Sequence, residues 1–463
     1  MIFRPKRNWL IVPIETKARE FHAKLLLSCV AAEKGFSVVL GGQCSIENRL
    51  TRLPKGIFFD KSIVPLREML FRQYRSVGLR VATLCEEGLT IIDPAAYLQS
   101  RVNCQALRQA RIFFAWGDYQ AELIRGKCPD CSGKVVAAGN SRIDLLRPEL
   151  RSIFDSESGE LKSRHGKYIL INTNFSFCNH KLGAKGAIAR LRDEGKVTTR
   201  EEEELLSARI AHKQSVFDKF GEMIPEIRKN FPDQKIIIRP HPSENHAVWV
   251  KIAGSVQGVE VIYEGGVVPW IMAADAVIHN GCTTGIEAFL LGRTAIAYQP
   301  VISEEHDAHL PNILSLRAFD LPGLVGLIRS RVCGELLKDS SMEEKRKIAG
   351  RYLSNLEGSL ATDVIVDHLK SPDLLSGRQH GEPSHARVAA LRMYVNIRDL
   401  LRKAIGRYAG SSEYSLQKFP GLKIEEVLEW LEKFRRVTGR FSNVGVKRIH
   451  KNIFVLERKQ TGC

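Results

Sequence analysis

Short apolar segments alternate with longer amphipathic ones along roughly the first third of the chain. Residues 9–14 form an apolar run of strand length, and residues 16–34 show the spacing of an amphipathic helix. Gly35 is a natural helix end, and another apolar strand follows at residues 37–40. Apolar strands separated by helices are typical of a parallel sheet covered on both faces. Further strands are predicted at residues 56–59, 80–83, 111–115 and 134–138.

The alternation begins again after a polar stretch at residues 155–160, which we interpret as an interdomain linker. A charged helical segment at residues 198–230 has an acidic start that suits the first turn of a helix, and we interpret it as a helix with a solvated face. The strands of this second sheet are predicted at residues 167–172, 235–239, 259–262, 276–279 and 294–298.

The pattern predicts an α/β fold with two Rossmann-like doubly wound domains and a C-terminal helical extension. We place the domains at residues 1–150 and 165–370, and the extension at 371–463. A chain of 463 residues exceeds what one hydrophobic core usually supports, which agrees with two domains. Because open parallel sheets bind ligands beyond the carboxyl ends of their strands, we expect the active site in a crevice between the domains.

The chain is strongly basic, with 69 Lys and Arg against 52 Asp and Glu and a formal net charge of +17. This surplus favours an anionic partner such as a nucleotide, an acidic glycan or an anionic membrane surface. We expect no nucleic-acid partner, because neither zinc-finger spacing nor an aromatic strand of the RNA-binding type is present. The extension is helical in pattern from Leu391 to Lys433, and it could dock on anionic lipid, pack back on the first domain or recruit a partner.

Hydropathy and cysteine usage indicate a cytoplasmic protein. No apolar run reaches the roughly 18 residues of a membrane-spanning helix, and the N-terminus lacks the pattern of a signal peptide. The ten cysteines are scattered through the chain, which predicts free thiols. Cys128 and Cys131 form a lone C-x-x-C without a second pair at zinc spacing, so we predict no metal site.

The strongest chemical signal is the segment 276–292, where a buried strand runs through a hydroxyl-rich turn into an apolar helix. The first turn of a helix binds phosphate through its unpaired N–H groups and the positive end of its dipole. Thr283 and Thr284 would add hydroxyl donors, and the flanking glycines would let the backbone approach a phosphate. Glu287 could bind ribose hydroxyls or only cap the helix. The predicted nucleotide-binding residues are Arg239, His279, Asn280, Gly281, Cys282, Thr283, Thr284, Gly285 and Glu287.

A second strand end carries Arg239 and His241, and two prolines stiffen the loop around His241. A histidine at this position would face the predicted crevice. His241 would therefore donate to a leaving phosphate, either as a hydrogen bonder or as a general acid.

In the first domain, Glu86 and Glu87 follow a predicted strand and precede a glycine. One of these carboxylates could deprotonate an attacking hydroxyl. Glu15, Arg19 and Glu20 lie where the first strand meets its helix, and both acceptor binding and helix capping are open for them.

Together these motifs resemble the bacterial surface-carbohydrate biosynthesis proteins, GT-B enzymes related to the Kdo transferases of capsule and lipopolysaccharide O-antigen assembly. The resemblance covers approximately residues 8–370 and rests on Glu15–Glu20, Glu86–Gly88, Trp116–Gln120, Ala138–Asp144, Asn172–Phe175, Arg239–Pro242 and Asn280–Gly285. Three elements, an acidic pair before Gly, a His-Pro and a Thr pair, also resemble the motif trio of bacterial transferases that use CMP-activated acidic sugars.

The resemblance implies a metal-independent glycosyltransferase without a cofactor, which moves a Kdo-like acidic sugar from a CMP-sugar donor to a glycan or lipid-linked acceptor. Glu86 or Glu87 would be the base, and His241 would meet the CMP phosphate or the cytidine. Thr283 and Thr284 would hold the phosphate, and its growing charge would be stabilised by the helix N-terminus. Peripheral contact with the anionic inner membrane would suit such an acceptor.

Enzymes of other classes with the same fold remain open. A UDP-sugar 2-epimerase and a CDP-glycerol-type phosphotransferase each have a similar His-containing strand end and anion loop, and a fold alone does not separate them. The alternative without catalytic activity is a glycan-binding scaffold.

Overall fold

The computed structural model describes residues 8–181, 183–193, 197, 199–334, 341–375 and 418–459, with the single residues Ala386, Ala390, Met393, Ile397 and Leu416. The chain divides into two compact units. Unit 1 comprises residues 1–88, 101–153 and 351–463, and unit 2 comprises residues 89–100 and 154–350. Each unit has its own sheet with parallel strands, so the predicted α/β class with two Rossmann-like doubly wound sheets is confirmed.

All eleven strands predicted for the two sheets are present as β1 to β11. The strands are β1 (Trp9–Ile14), β2 (Ser37–Gly42), β3 (Ile57–Asp60), β4 (Arg80–Leu84), β5 (Ile112–Ala115), β6 (Val135–Ala137), β7 (Tyr168–Asn172), β8 (Lys235–Arg239), β9 (Val259–Val261), β10 (Ala276–His279), β11 (Ala295–Tyr298), β12 (Leu316–Ala318), β13 (Val444–His450) and β14 (Ile453–Arg458). The helices are α1 (Lys17–Glu33), α2 (Gln43–Glu47), α3 (Pro65–Ser76), α4 (Pro94–Arg101), α5 (Cys104–Gln109), α6 (Asp118–Lys127), α7 (Ser141–Asp144), α8 (Asp155–His165), α9 (Gly183–Asp193), α10 (Arg200–Asn230), α11 (His246–Gly254), α12 (Val267–Ala273), α13 (Thr283–Leu290), α14 (His309–Ile313), α15 (Leu321–Val332), α16 (Met342–Tyr352), α17 (Ala361–Leu369), α18 (Pro372–Leu375) and α19 (Ile424–Thr438).

The sheet of unit 1 has the strand order β13-β14-β2-β1-β3-β4-β5-β6. Strands β1 to β6 run parallel to their neighbours. All residues of β1 and β2 are buried, as expected for parallel strands under two helix layers. The chain reaches β2 on one side of β1 and returns to β3 on the other side. The carboxyl ends of β1 and β3 therefore form the switch point at which such sheets bind ligands.

The sheet of unit 2 has the order β12-β11-β10-β7-β8-β9, and all its strands are parallel. Counted from β7, this is the order 3-2-1-4-5-6 of Rossmann domains. The switch point lies between β7 and β10, whose carboxyl ends are Asn172 and His279. This end of the sheet is therefore the expected ligand site of unit 2.

The helical segment predicted at residues 198–230 is confirmed as α10. Thr199 and Glu202 form a reciprocal capping box at its start. The predicted solvated face describes only one side of α10. The opposite face packs in the core of unit 2 through residues at helical spacing. The buried residues of α10 are Leu206, Lys213, Val216, Phe220, Met223, Ile224 and Ile227.

The end of the chain completes unit 1. β14 pairs antiparallel with β2, and β13 pairs with β14. A Cβ atom on Gly41 would lie 2.4 Å from the carbonyl oxygen of Asn452, so glycine permits this pairing. α19 packs on α1, where the rings of His22 and Trp430 stack at 3.6 Å. Of the roles left open for the extension, packing on the first domain is the one seen for residues 418–459, and most of the predicted helix at 391–433 lies outside the described residues.

Several motif residues of unit 1 hold the segment that follows α16. A Cβ atom on Gly117 or Gly139 would lie 2.4 or 2.5 Å from the backbone of residues 352–354. Asp144 accepts hydrogen bonds from the backbone N–H groups of Ala361 and Thr362 at 2.9 and 2.7 Å, which caps α17. The stretches 116–120 and 138–144 thus have a packing role in this fold.

The polar stretch at residues 155–160 is not a linker, because it forms the first turns of α8. The prediction is wrong because α8 buries only Leu161 and His165, so its apolar periodicity is too weak to indicate a helix. The acidic first turn and basic last turn of α8 suit the helix dipole.

The prediction of free thiols is wrong for one pair, because Cys104 and Cys128 form a disulfide with a Cα–Cα distance of 5.5 Å. The two cysteines are 24 positions apart and meet where α5 packs near the end of α6, a contact that has no local sequence pattern. Cys131, the other half of the C-x-x-C, is a buried free thiol. Among the helices of the described ranges, none has the length and apolar character that crossing a membrane requires.

Candidate functional site

In unit 2, the loops that follow β7 and β10 are joined at the switch point. The amide of Asn172 donates to Thr284 Oγ1 over 3.0 Å. The amide of Asn280 donates to the carbonyl oxygen of Asn174 over 3.1 Å. These bonds fix the start of α13 against the loop after β7.

The first turn of α13 has no side-chain cap within the described part of the chain, and its N-cap is Cys282 in an extended conformation. Thr284 is buried in the contact with β7, whereas Thr283 is partly exposed. The Oδ1 atoms of Asn172 and Asn280 are buried and have no hydrogen-bond partner among the described residues. The turn therefore offers helix N–H groups to an anion and two amide oxygens to ligand donors.

Two glycines are required by this turn. Gly281 has a positive φ of +77°. A Cβ atom on Gly285 would lie 2.6 Å from His279 Nε2 and 2.7 Å from the carbonyl oxygen of Pro311. The sequence suggested close approach of a phosphate as the reason for both glycines, and for Gly285 the structure gives the packing of α13 on His279. Glu287 is also buried, so its binding of ribose stays a prediction.

His279 is fully buried, and both ring nitrogens are engaged. The backbone N–H of Gly281 donates to Nδ1 over 3.0 Å. Ser315 Oγ lies 2.8 Å from Nε2 and donates its own proton to the carbonyl oxygen of Pro311, so Nε2 carries the ring proton. Burial lowers the pKa of His279 to about 3, which keeps the ring neutral. Its side chain therefore positions the turn at Gly281.

The ring of His241 is oriented by two serines. The backbone N–H of Ser243 donates to Nδ1 over 3.2 Å, and Ser176 Oγ lies 2.9 Å from the same atom. Because a backbone N–H only donates, Nδ1 is an acceptor and Nε2 carries the proton of the neutral ring. Ser176 belongs to the loop after β7, so His241 and α13 are fixed by the same loop. An imidazole with its proton on Nε2 is suited to donate to a phosphate oxygen.

Glu244, which the sequence analysis missed, organises this arrangement. Its buried carboxylate accepts hydrogen bonds from Thr173 Oγ1 at 2.8 Å, the backbone N–H of Phe175 at 3.0 Å and the backbone N–H of His241 at 3.1 Å. Trp249 Nε1 donates to its second oxygen over 2.8 Å. These donors satisfy the carboxylate and join the two loops. Its place in a Pro-rich loop gave no signal, because a single loop Glu is usually solvated.

Arg239 holds the loop between β9 and α12 through hydrogen bonds to its backbone. Its guanidinium donates to the carbonyl oxygens of Glu264 at 2.7 Å and Gly265 at 3.2 Å, and it lies 5.0 Å from the ring centre of Trp270. Burial lowers its pKa to about 10, although Tyr263 and Glu264 oppose this shift. A direct contact of Arg239 with a nucleotide stays a prediction.

In unit 1, charged side chains cluster at the carboxyl ends of β1, β3 and β4. The buried carboxylate of Glu20 accepts from the backbone N–H groups of Glu15 and Thr16 at 3.0 and 3.1 Å, and from Lys24 Nζ at 2.6 Å. Burial opposes the ionisation of Glu20, but Lys24 and Arg19 outweigh it and lower its pKa. Of the two roles left open for Glu20, these bonds match helix capping.

Glu15 is held by two lysines, with an ion pair to Lys61 and another to Lys418 at 3.2 Å. Burial opposes its ionisation, but these lysines and Arg19 hold the pKa of Glu15 well below its ordinary value. Burial also opposes the charge of Arg19, and the surrounding carboxylates outweigh it and raise its pKa. The Nε atom of Arg19 is buried without a hydrogen-bond partner among the described residues.

Glu86 and Glu87 lie in different surroundings. Glu86 is 8% exposed, with Oε1 at 3.9 Å from Lys24 Nζ and with Oε2 buried and unpaired among the described residues. The side chain of Glu87 is 45% exposed and forms an ion pair with Arg101. The sequence left open which of the two is the base, and the unpaired oxygen of Glu86 favours Glu86.

The predicted residues thus form one cluster in each unit. In unit 1 the structure brings Arg19 together with Glu15, Glu20, Glu86 and Glu87, whose charges all act on its guanidinium. In unit 2 the loop after β7 joins His241 to the turn of Asn280, Gly281, Cys282, Thr283 and Thr284. Within the described ranges, no group of three or more His, Cys, Asp or Glu side chains could hold a metal ion.

No protein-family model matches the chain, and no curated protein matches it. Solved structures with a similar fold include the Methanocaldococcus jannaschii UDP-GlcNAc 2-epimerase in complex with UDP-GlcNAc and UDP, at 12% identity and a TM-score of 0.48 over 78% of this chain and 99% of that chain. The wall teichoic acid polymerase TagF with CDPG is similar at 10% identity and a TM-score of 0.49 over 81% of this chain and 90% of that chain. The S. aureus MnaA–UDP structure is similar at 14% identity and a TM-score of 0.47 over 81% of this chain and 100% of that chain. Because these TM-scores lie below 0.5, the neighbours carry no information on function.

Proposed function

We propose that the chain is an enzyme acting on nucleotide-activated sugars in the assembly of bacterial surface polysaccharides, and that unit 2 binds the phosphates of the nucleotide. One observation carries this proposal: a single loop fixes both elements that would bind the anion, since Asn174 accepts a hydrogen bond from Asn280 in the turn before α13 and Ser176 orients His241. Phosphate oxygens would accept from the first-turn N–H groups of α13 and from His241 Nε2. The amide oxygens of Asn172 and Asn280 would accept from nucleotide hydroxyl or base N–H groups.

Unit 1 supplies the acid–base group and the acceptor contacts in this proposal. Glu86 acts as the base, because its buried Oε2 has no hydrogen-bond partner among the residues that the structure describes and could accept from a substrate hydroxyl. Glu15 and Arg19 contact the acceptor, and Glu20 positions both through its bonds at the start of α1.

A UDP- or CDP-linked donor carries two phosphates, one for each of the two proposed anion-binding elements, so reaction at a nucleoside diphosphate sugar is our first candidate. The second candidate is transfer of an acidic sugar from CMP to a glycan. It is favoured by the order along the chain of Glu86–Gly88, His241–Pro242 and Thr283–Thr284, which resembles the motif trio of CMP-sugar transferases.

Calorimetric titration of the full-length protein with UDP, CDP and CMP tests the nucleotide site. We expect UDP or CDP to bind, and His241→Ala to weaken that binding about tenfold, as loss of a hydrogen bond to a charged group does. Lys251→Ala, an exposed control on α11, should bind like the wild type. Tighter binding of CMP than of UDP and CDP would select the second candidate, and binding of none of them would contradict the proposal.

Glu86→Gln and Glu87→Gln form a matched pair for the catalytic assignment. We incubate each variant with UDP-GlcNAc or CMP-Kdo and a glycan acceptor, and follow the products by mass spectrometry. Turnover should fall at least about a hundredfold in Glu86→Gln with nucleotide binding unchanged, and only slightly in Glu87→Gln. Equal turnover in both variants would remove Glu86 from this role.

A further inference from the structure

Helix α10 carries two cationic side chains on consecutive turns, Arg209 and Lys213, that form no ion pair within the described ranges, although the charges of Asp93 and Asp307 act on them from a longer distance. Lys213 is 7% exposed and lies within the apolar stripe of the helix. Arg209 is partly buried, and its guanidinium lies 5.9 Å from the ring centre of Phe177. Within the described ranges, neither side chain forms a hydrogen bond or an ion pair with another residue.

The carboxylate that acts on Lys213 from nearby is already engaged. Asp307 accepts from the backbone N–H of Ser303 at 3.0 Å and lies 3.0 Å from His212 Nε2. Burial lowers the pKa of Lys213, with Asp307 opposing this shift and Arg209 adding to it. An unpaired cation in such a place destabilises the ligand-free fold, and proteins retain such groups at sites that receive an opposite charge.

The segment 307–308 links α10 to the turn that precedes α13. His212 Nε2, next to Lys213 on α10, lies 3.0 Å from Asp307 Oδ1, and a Cβ atom on Gly281 in the turn would lie 3.6 Å from the Cβ atom of Ala308. The ammonium group of Lys213 and the thiol of Cys282, the N-cap of α13, act on each other electrostatically. Burial raises the pKa of Cys282 to about 11, although hydrogen bonds from Thr284 oppose the shift, so this thiol is neutral and does not balance the lysine. Cys178, within the loop after β7, interacts with Lys213 in the same way. The lysine therefore adds a full charge where the helix N–H groups add partial charges.

We propose that Lys213 is the cation that binds a phosphate held at the N-terminus of α13, and that Arg209 extends this subsite to a second anionic group. The ligand class is a diphosphate, free or within a nucleotide. The inference rests on the proposed function for the identity of the nucleotide, and it concerns residues that neither the motifs nor the sequence analysis assigned. The dissociation constant should depend on Lys213 more than on Arg209, because Lys213 is the more deeply buried of the two.

The test uses the full-length chain with Lys213→Met, Arg209→Gln and the control Lys229→Met, an exposed lysine on the same helix. Thermal unfolding is measured without ligand, and affinity is measured by calorimetry with inorganic pyrophosphate and with UDP, CDP and CMP. Lys213→Met should unfold at a higher temperature, because methionine fills the apolar site without an unpaired charge. It should bind pyrophosphate and the preferred nucleotide roughly ten- to a hundredfold more weakly, while Lys229→Met matches the wild type.

The outcomes separate this inference from the proposed function. Nucleotide and pyrophosphate affinities that are the same in Lys213→Met and the wild type overturn the inference and leave the proposed function standing. Pyrophosphate binding that depends on Lys213, in a protein that binds no nucleotide, supports the subsite and contradicts the proposed function. A wild-type protein that binds neither pyrophosphate nor nucleotide contradicts both.

Discussion

The two units carry polar clusters at equivalent places in their sheets, but they balance buried charge in opposite ways. In the cluster of unit 1, cations pair with the buried Glu20 and the partly buried Glu15, Lys24 with Glu20 and both Lys61 and Lys418 with Glu15. In unit 2 the buried acid Glu244 is satisfied by neutral donors, and the buried cation Lys213 is unpaired among the described residues. The comparison teaches that unit 1 is close to electrostatic balance without a ligand, whereas unit 2 gains most from an anion.

The largest expected effect comes from breaking the balance in unit 1. Glu20→Ala leaves Lys24 buried without its closest partner, so we expect a loss of about 3–5 kcal/mol in the free energy of unfolding. Denaturant unfolding monitored by fluorescence measures it. Adding Lys24→Met to Glu20→Ala should recover a substantial part of the lost free energy of unfolding. A Glu20→Ala variant as stable as the wild type would show that the charge balance of unit 1 does not need this pair.

The corresponding change in unit 2 removes the acceptor that joins two loops. Glu244→Gln keeps the size of the side chain but brings an NH₂ group toward donors such as Trp249 Nε1, so we expect a loss of about 2–3 kcal/mol. Binding of the preferred nucleotide should also weaken, because the loop that orients His241 is released. The exposed Glu222→Gln is the control for both measurements. An unchanged affinity in Glu244→Gln would show that nucleotide binding does not depend on the loop that Glu244 holds.

Each unit also contains a histidine with a strongly lowered pKa, which makes the unit sensitive to acid. Burial lowers the pKa of His279 to about 3, and burial with Lys433 and Lys17 nearby does the same for His22. The folded ring stays neutral while the unfolded ring takes a proton below its ordinary pKa of 6.5, so stability is lost as the pH falls from about 6.5 toward 3. Between pH 7.5 and pH 5, protonation of each histidine in the unfolded chain should lower the free energy of unfolding by about 2 kcal/mol, at about 1.36 kcal/mol per pKa unit.

This pH window separates the two histidines from Glu15 and Glu20. Glu15 and Glu20 have lowered pKa values, so their contribution is lost only below the ordinary pKa of about 4.5. Thermal unfolding is measured at pH 7.5 and at pH 5. The unfolding temperatures at the two pH values should differ less in His22→Gln and in His279→Gln than in the wild type, whereas the exposed His309→Gln should match the wild type. The same pH dependence in all four proteins would contradict burial as the cause.

The smallest effect is expected at the exposed carboxylate of the acidic pair. Glu87→Gln breaks an ion pair with Arg101 at the surface, which should change the free energy of unfolding by less than about 1 kcal/mol. Denaturant unfolding beside Glu20→Ala measures the contrast between exposed and buried pairs in one unit. A loss as large as that of Glu20→Ala would contradict the small contribution expected of an exposed ion pair.

Local patterns predicted the elements of this fold well. β1 to β11 are short apolar runs, and an acidic first turn with the Thr199–Glu202 capping box indicates where α10 begins. The positions of the turn before α13 and of the His241 loop at strand ends were also predicted, because each follows an apolar strand, and anion binding there stays a prediction. These features depend on neighbours along the chain, which a sequence displays directly.

Contacts between distant positions could not be predicted in this way. Asp144 caps a helix that begins at Ala361, and Lys418 pairs with Glu15, yet nothing near either residue indicates its partner. Lys213 could have been found, because a lysine interrupts an apolar stripe of otherwise regular helical spacing. Strand-end position also did not reveal which side chains are engaged within the fold, as the bonds of His279 and Arg239 illustrate.

A crystal structure of the full-length protein with its preferred nucleotide tests the central claim most directly. The account predicts a phosphate against the backbone N–H groups at the start of α13, with His241 Nε2 and Lys213 Nζ within hydrogen-bond distance of its oxygens. A nucleotide bound elsewhere, with the first turn of α13 closed by side chains and Lys213 still without an anion, would contradict it.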